Sequence, residues 1–151
     1  MMRHAIHACR EGIAQGQTPF ACAVVRQGRL IAVAHNTVWR DLDVTAHAEI
    51  NALRAACQAL GRVDLSGCDL YTTCEPCPMC LAAGHWARID TVYFGATIAD
   101  ARAAGFNELA LPAQDLVARG GSPMQVVGAV LYDECAALFE EWLGRPDART
   151  Y

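Results

Sequence analysis

A chain of 151 residues, 54% hydrophobic and 19% charged, is long enough to bury a core as one domain over residues 1–151 and too apolar to stay disordered. Its net charge of −4 and its twelve basic residues, all arginines scattered singly, argue against a nucleic-acid partner, whose phosphates are held by clustered cations. No stretch approaches the ~18 apolar residues of a membrane span and the start carries no secretory apolar region, so a cytoplasmic location is expected, with the eight cysteines reduced or bound to metal instead of paired in disulfides.

Residues 3–15 carry Ile6, Cys9 and Ile13 at helical spacing and stop at Gly16, which predicts an N-terminal helix. Residues 20–25 and 30–34 flank Arg26-Gln27-Gly28-Arg29 and predict a β-hairpin turning at Gly28. His35-Asn36-Thr37 closes the second strand. A loop over residues 38–44 leads to a helix over residues 46–60, with Thr45 as its N-cap and Gly61 as its stop. The β-rich run 69–73, a helix opening at Pro76-Cys77, and the strand 91–96 form a strand–helix–strand unit with parallel strands. Residues 81–87 are apolar nearly all round, so that helix is expected to be covered by the sheet on one side and a second subunit on the other. Residues 98–117 read as irregular with one or two short helical turns. Residues 125–130 follow as a fifth strand and 133–143 as a last helix, broken by Gly144-Arg145-Pro146 before a tail ending at Tyr151. The predicted fold is α/β, a three-layer α/β/α sandwich around a five-stranded mixed sheet, with the helices after His47 and Cys77 opening into one crevice.

The chemistry sits in that crevice. Cys77 and Cys80, three apart on a helix's opening turn, share one face, and the positive end of the helix dipole favours their thiolates. Such a pair suits zinc. His47 is the candidate third ligand, which leaves a fourth position for water and makes the site catalytic instead of structural. Zinc would lower the pKa of that water from ~15.7 to about 7, and Glu49, two residues past His47, is placed to move its proton. Two other arrangements stay open. Cys74, Cys77, Cys80 and His47 would make a saturated structural centre, although Cys74 falls at a strand's end; an iron–sulfur cluster lacks an evident fourth cysteine. Cys9, Cys22, Cys57, Cys68 and Cys135 read as small buried apolar residues.

His47-Ala48-Glu49 followed by Pro76-Cys77-Pro78-Met79-Cys80 resembles the zinc-dependent cytidine deaminase superfamily, whose signature is H-x-E and then P-C-x-x-C. Pro19-Phe20-Ala21, Leu70-Tyr71-Thr72, Trp86-Ala87-Arg88 and Ala104-Gly105-Phe106 extend the resemblance to bacterial guanine deaminases, with tRNA adenosine deaminases next. The resemblance implies one zinc per subunit on His47, Cys77 and Cys80, with Glu49 as general acid and base. It also implies a carboxylate after the Gly-Phe pair that holds the purine's ring NH and amino group. Here Asn107 and Glu108 stand where such enzymes have two acidic residues, so the role falls to Glu108. A carboxylate has two acceptor oxygens for guanine's N–C–NH2 edge, whereas cytosine and adenine offer a donor beside an acceptor. Asn36 is implied as an amide that orients the base, with Ala48 beside it, and Phe20 and Trp86 as pocket walls unless they are plain core. Tyr151 resembles a terminal tyrosine that folds over the site, in its own or an exchanged subunit, against the reading of a frayed tail. His4, His7, His35 and His85 have no motif around them and read as structural or exposed. The expected activity is hydrolysis of a free nucleobase, guanine to xanthine and ammonia, by a homodimer. Its rivals are a tRNA adenosine deaminase, favoured by Met2-Arg3-His4-Ala5 and by Asp133-Glu134-Cys135-Ala136-Ala137-Leu138, a deaminase of isocytosine, cytosine or a triazine, and a non-catalytic zinc module.

Overall fold

A computed structural model describes all of residues Met1–Tyr151. Helix α1 (Met2–Ala14) buries Met2, Ile6, Cys9 and Ile13 along one face. Strands β1 (Ala21–Arg26) and β2 (Arg29–His35) pair antiparallel, turning through Gln27 and Gly28 with φ of 49° and 73°. Two left-handed residues make the turn that matches strand twist, and glycine occupies the second of them without strain.

The stretch expected as a loop forms a short helix, α2 (Val38–Asp41), closed by Leu42 in the left-handed region. Helix α3 (Ala48–Leu60) begins later than predicted, with His47 as its N-cap and Gly61 as its left-handed stop. Thr45 cannot serve as the cap because Asp43 Oδ1 accepts both its amide, at 2.8 Å, and its hydroxyl, at 2.7 Å.

Strand β3 (Cys68–Cys74), helix α4 (Pro78–Trp86) and strand β4 (Thr91–Ala96) form the parallel unit. Helices α5 (Ile98–Ala103) and α6 (Ala113–Gly120) occupy the stretch expected to be mostly irregular. Strand β5 (Gln125–Val127) is shorter than predicted, and α7 (Tyr132–Leu143) closes the fold. β5 ends early because the Phe94 ring fills the space over Gly128, and the chain leaves through Ala129 and Leu131, with φ of 60° and 52°.

The sheet runs β2-β1-β3-β4-β5, with β1 antiparallel to both neighbours and β3, β4 and β5 parallel. Helices α1 and α7 cover one face around Ile6, Phe106, Leu138 and Trp142. Helices α3, α4 and α6 cover the other around Leu53, Leu65, Leu70, Leu81 and Val92. This is the expected three-layer sandwich. Within one chain α4 buries only Cys80, Leu81 and Gly84, and its end is open, with Trp86 78% exposed. No helix is long and apolar enough to cross a membrane.

Candidate active site

Both metal-ligand segments begin at a helix N-cap. His47 caps α3 with φ −67° and ψ 155°, and Cys77 caps α4 with φ −65° and ψ 165°. The extended cap conformation turns each side chain back past the helix opening, and Cys80 joins them from the first turn of α4. His47 Nδ1 lies 3.7 Å from Cys77 Sγ and 3.5 Å from Cys80 Sγ, and the three donor atoms lie within 4.8 Å of one another. For ~2.3 Å metal–sulfur and ~2.05 Å metal–nitrogen bonds at the tetrahedral angle, the sulfur–nitrogen edge is about 3.6 Å. The triangle therefore fits a zinc ion, with Nδ1 as the ligating nitrogen. Cys77 is pulled down to about 4 by the thiol hydrogen bond from Cys80 and then by His47, while the same bond and burial push Cys80 up. A metal held here would bind both sulfurs as thiolates, so its binding releases protons.

Cys74 stands apart. It is buried, its thiol faces the Thr97 carbonyl at 3.4 Å, and burial pushes it well above the usual thiol range. The group of potential ligands is His47, Cys77 and Cys80 without it. Of the remaining cysteines, Cys9, Cys22, Cys68 and Cys135 are buried and Cys57 is half-buried.

Glu49 lies on the first turn of α3, 6% exposed, with Oε1 accepting the Thr72 hydroxyl at 2.9 Å. Burial, and then the neighbouring Cys77 charge, push its carboxyl up. It lines a cavity of about 20 Å3 with Phe20, His47, Cys77, Glu108 and Tyr151, and Cys74 and Glu75 border the same space. That volume holds a water and is smaller than a purine, with Glu108 and Tyr151 among its walls.

Of the other expected residues the structure brings Phe20, Glu108 and Tyr151 to the cavity lining, and not Asn36 or Ala48. Phe20 stacks edge-on against Phe106 at 4.8 Å while lining the site. Glu108 lines it too, and burial, followed by the charge of Cys77, raises its carboxyl. Ala48 is fully buried in the core under α3. Asn36, 1% exposed, accepts the Val38 amide at 3.0 Å and donates to Tyr151 Oη at 2.8 Å. Tyr151 closes the site of its own chain, its hydroxyl 3.3 Å from His47 Nε2, and burial raises the phenol.

Trp86 is not brought to the cavity. It ends α4 while Cys77 begins it, so about 13 Å of helix separates them, and it lines a separate open cleft of about 790 Å3 with Arg88 and Met124. Sequence reasoning gave no role to Trp39 or Glu75. Trp39 Nε1 donates to the Arg149 carbonyl at 3.2 Å, and the Arg149 guanidinium sits 3.9 Å above its ring, which straps down the tail. No local pattern signals a contact between residues so far apart in the chain. Glu75 could have been singled out, since it interrupts the cysteine motif with a carboxylate.

The family model for the cytidine and deoxycytidylate deaminase zinc-binding region matches residues 1–96, a span that holds both halves of the ligand set. A guanine deaminase from Bacillus subtilis is 44% identical over 108 residues, 71% of this chain and 69% of that protein. A tRNA-specific adenosine deaminase from Agrobacterium fabrum is 45% identical over 95 residues, 63% of this chain and 62% of that protein. Among solved structures, a guanine deaminase from Nitrosomonas europaea superposes with a TM-score of 0.86 at 33% identity, covering 93% of this chain and 81% of that one.

Proposed function

This chain belongs to the cytidine and deoxycytidylate deaminase family as a zinc-dependent deaminase, and within that family we propose that it hydrolyses a free nucleobase, guanine, to xanthine and ammonia. One observation carries the choice of substrate. Glu108, a half-buried carboxylate, lines the same cavity as His47, Cys77 and Glu49, and its two acceptor oxygens match the paired donors of an N–C–NH2 edge. The resemblance to the guanine deaminases of Bacillus subtilis and Nitrosomonas europaea supports the same reading.

Zinc held by His47, Cys77 and Cys80 supplies a Lewis acid that makes a water acidic near neutral pH. Glu49 takes one proton of that water and passes it to the ring nitrogen as the water oxygen adds to the amino-bearing carbon. It then carries the proton left on that oxygen to the amine, so that the C–N bond breaks, ammonia leaves and the carbonyl forms. The Thr72 hydroxyl, bonded to Oε1, holds the carboxylate in place through both transfers. Glu108 orients the base, Phe20 walls it and Tyr151 folds over it, with the Asn36 amide holding the Tyr151 hydroxyl. On the same reading the protein acts in the cytoplasm as a homodimer.

A tRNA adenosine deaminase is the second reading, favoured by the Agrobacterium fabrum relative and opposed by the net charge of −4. The test is ammonia release from guanine, isocytosine, cytosine, adenine, creatinine and an anticodon stem-loop. Guanine is expected to be the fastest substrate. Activity on the RNA alone would overturn the proposal, and a fully zinc-loaded protein that releases ammonia from nothing would make it a non-catalytic zinc module.

A further inference from the structure

Glu75 lies between the end of β3 and the N-cap of α4, outside the ligand set and outside the proposed proton path. Its backbone amide is fixed to the end of β4 by a 2.8 Å bond to the Ala96 carbonyl. Its side chain reaches in two directions: Oε2 accepts the Ile98 amide at 3.2 Å and Oε1 accepts the Ala113 amide at 2.8 Å. Those are the first helical residues of α5 and α6. One carboxylate thus joins the openings of two helices, where amide dipoles favour negative charge and the hydrogen bonds are charge-assisted.

The segment between those helices, residues 104–112, carries Glu108. Its one deeply buried side chain is Phe106, 5% exposed, packed at 5.1 Å on Trp142. Asn107, Leu109 and Ala110 are exposed, and Leu109 is 66% exposed. Packing therefore fixes this segment at one point, and Glu75 fixes what flanks it on both sides.

We propose that Glu75 is a positioning residue that sets the substrate carboxylate Glu108 by tying together both ends of the segment that carries it. The role assigned to Glu108 rests on the guanine reading above, whereas the tie itself does not. Glu75 borders the same cavity as Glu108, but both of its carboxylate oxygens are taken by the Ile98 and Ala113 amides, so it acts through the segment and not on the base. Because it is anchored two residues before Cys77, it places the recognition segment in register with the metal ligands.

The test uses Glu75→Gln, Glu108→Gln and the double variant of the zinc-loaded full chain. Glutamine keeps one acceptor oxygen and turns an NH2 toward the other amide, so one tie breaks and the charge is lost. Amide hydrogen exchange over residues 104–112 is expected to rise about tenfold in Glu75→Gln, with zinc content unchanged. KM for guanine is expected to rise about tenfold while kcat falls less than about threefold. In the Glu108→Gln background, adding Glu75→Gln is expected to change KM by less than about twofold, since coupled residues are not additive. Unchanged exchange, or fully additive effects on KM, overturns the proposal. A wild-type protein that does not turn over guanine defeats the substrate reading, while the exchange result still decides the tie. Should Glu75→Gln fail to fold, Ala113→Pro removes one donor from the opposite side, at a first helical position where proline is tolerated, and the same exchange and KM outcomes apply.

Discussion

Replacing Tyr151 with phenylalanine isolates one oxygen atom at the centre of the site. The ring stays, with its contacts at 6.1 Å to Phe106 and 6.3 Å to Trp39. Two donors lose their partner: Asn36 Nδ2, at 2.8 Å, and His47 Nε2, at 3.3 Å. Asn36 is 1% exposed, and a buried donor left unpaired costs about 1–3 kcal/mol. In a chain of this size each kcal/mol lowers Tm by about 2–4 °C, so a fall of about 2–12 °C is expected. The second effect is on the metal. With a metal on Nδ1, Nε2 carries the ring proton and donates it to the phenol, the outer partner that fixes the imidazole's tautomer and orientation. Losing such a partner weakens metal binding by about 10–100-fold; a neutral phenol at 3.3 Å belongs at the low end, about tenfold. Competition for zinc against a chromophoric chelator, with calorimetry of the loaded protein, measures both. Zinc affinity within about twofold of wild type, together with an unchanged Tm, would show that the tail does not hold His47.

Glu49→Gln is expected to keep one zinc per chain and lose about 10²–10⁴-fold in turnover, read from metal analysis and ammonia release; a fully active variant would remove Glu49 from the proton path. Cys77→Ala is expected to lose tight zinc binding, and a variant that still holds one zinc tightly would refute the ligand set. Gly95→Ala puts a methyl group against the Cys135 side chain and 3.0 Å from the Thr73 carbonyl, an overpacking cost of about 1–3 kcal/mol visible in the urea midpoint; an unshifted midpoint would mean that this contact relaxes freely. The Arg10 guanidinium, bonded to both oxygens of Glu141 at 2.7–3.2 Å, holds that carboxyl below its ordinary range. A depressed carboxylate contributes stability above its unfolded pKa and loses it as pH falls through the folded value, so Arg10→Gln should lower the urea midpoint at pH 7 and match wild type at acid pH. An equal deficit at both pH values would mean that charge is not the cause.

The ligand set was legible because its residues lie on helix openings whose sequence signals are local: histidine and glutamate two apart, then two cysteines three apart beside prolines. The start of α3 was less so. Thr45 has the right chemistry for a cap, but Asp43 holds it by two hydrogen bonds, and the cap passes to His47, which ordinary preferences would not select. Helix α6 was hidden for a different reason. It buries only Ala113, and its first amide is bonded by Glu75, 38 residues earlier in the chain. The Trp39 strap likewise depends on Arg149, 110 residues away. Trp86, implied as a pocket wall by the resemblance, lies away from the cavity of its own chain because a helix running away from the metal ligands carries its last residue to the far end.

The two caps explain why the crevice lies where it does. A usual N-cap side chain turns back and accepts an amide of the first turn, which stabilises a helix by about 1 kcal/mol. Neither His47 nor Cys77 makes such a bond, so α3 and α4 both forgo it at the site. What remains is two helix openings whose unpaired amides direct partial positive charge into one small volume. That field favours thiolate at Cys77 and Cys80 and opposes protonation of a carboxylate, whereas burial of Glu49 pushes its carboxyl up. A group that must both take and return a proton needs these opposing influences close to balance. The opening of α5 is treated differently, since Thr97 forms a complete capping box with Asp100 and Glu75 adds a further acceptor. Helices α1, α2, α6 and α7 also lack a side-chain cap bond, so it is the convergence of the α3 and α4 openings on one volume, and not the missing cap alone, that sets the site apart.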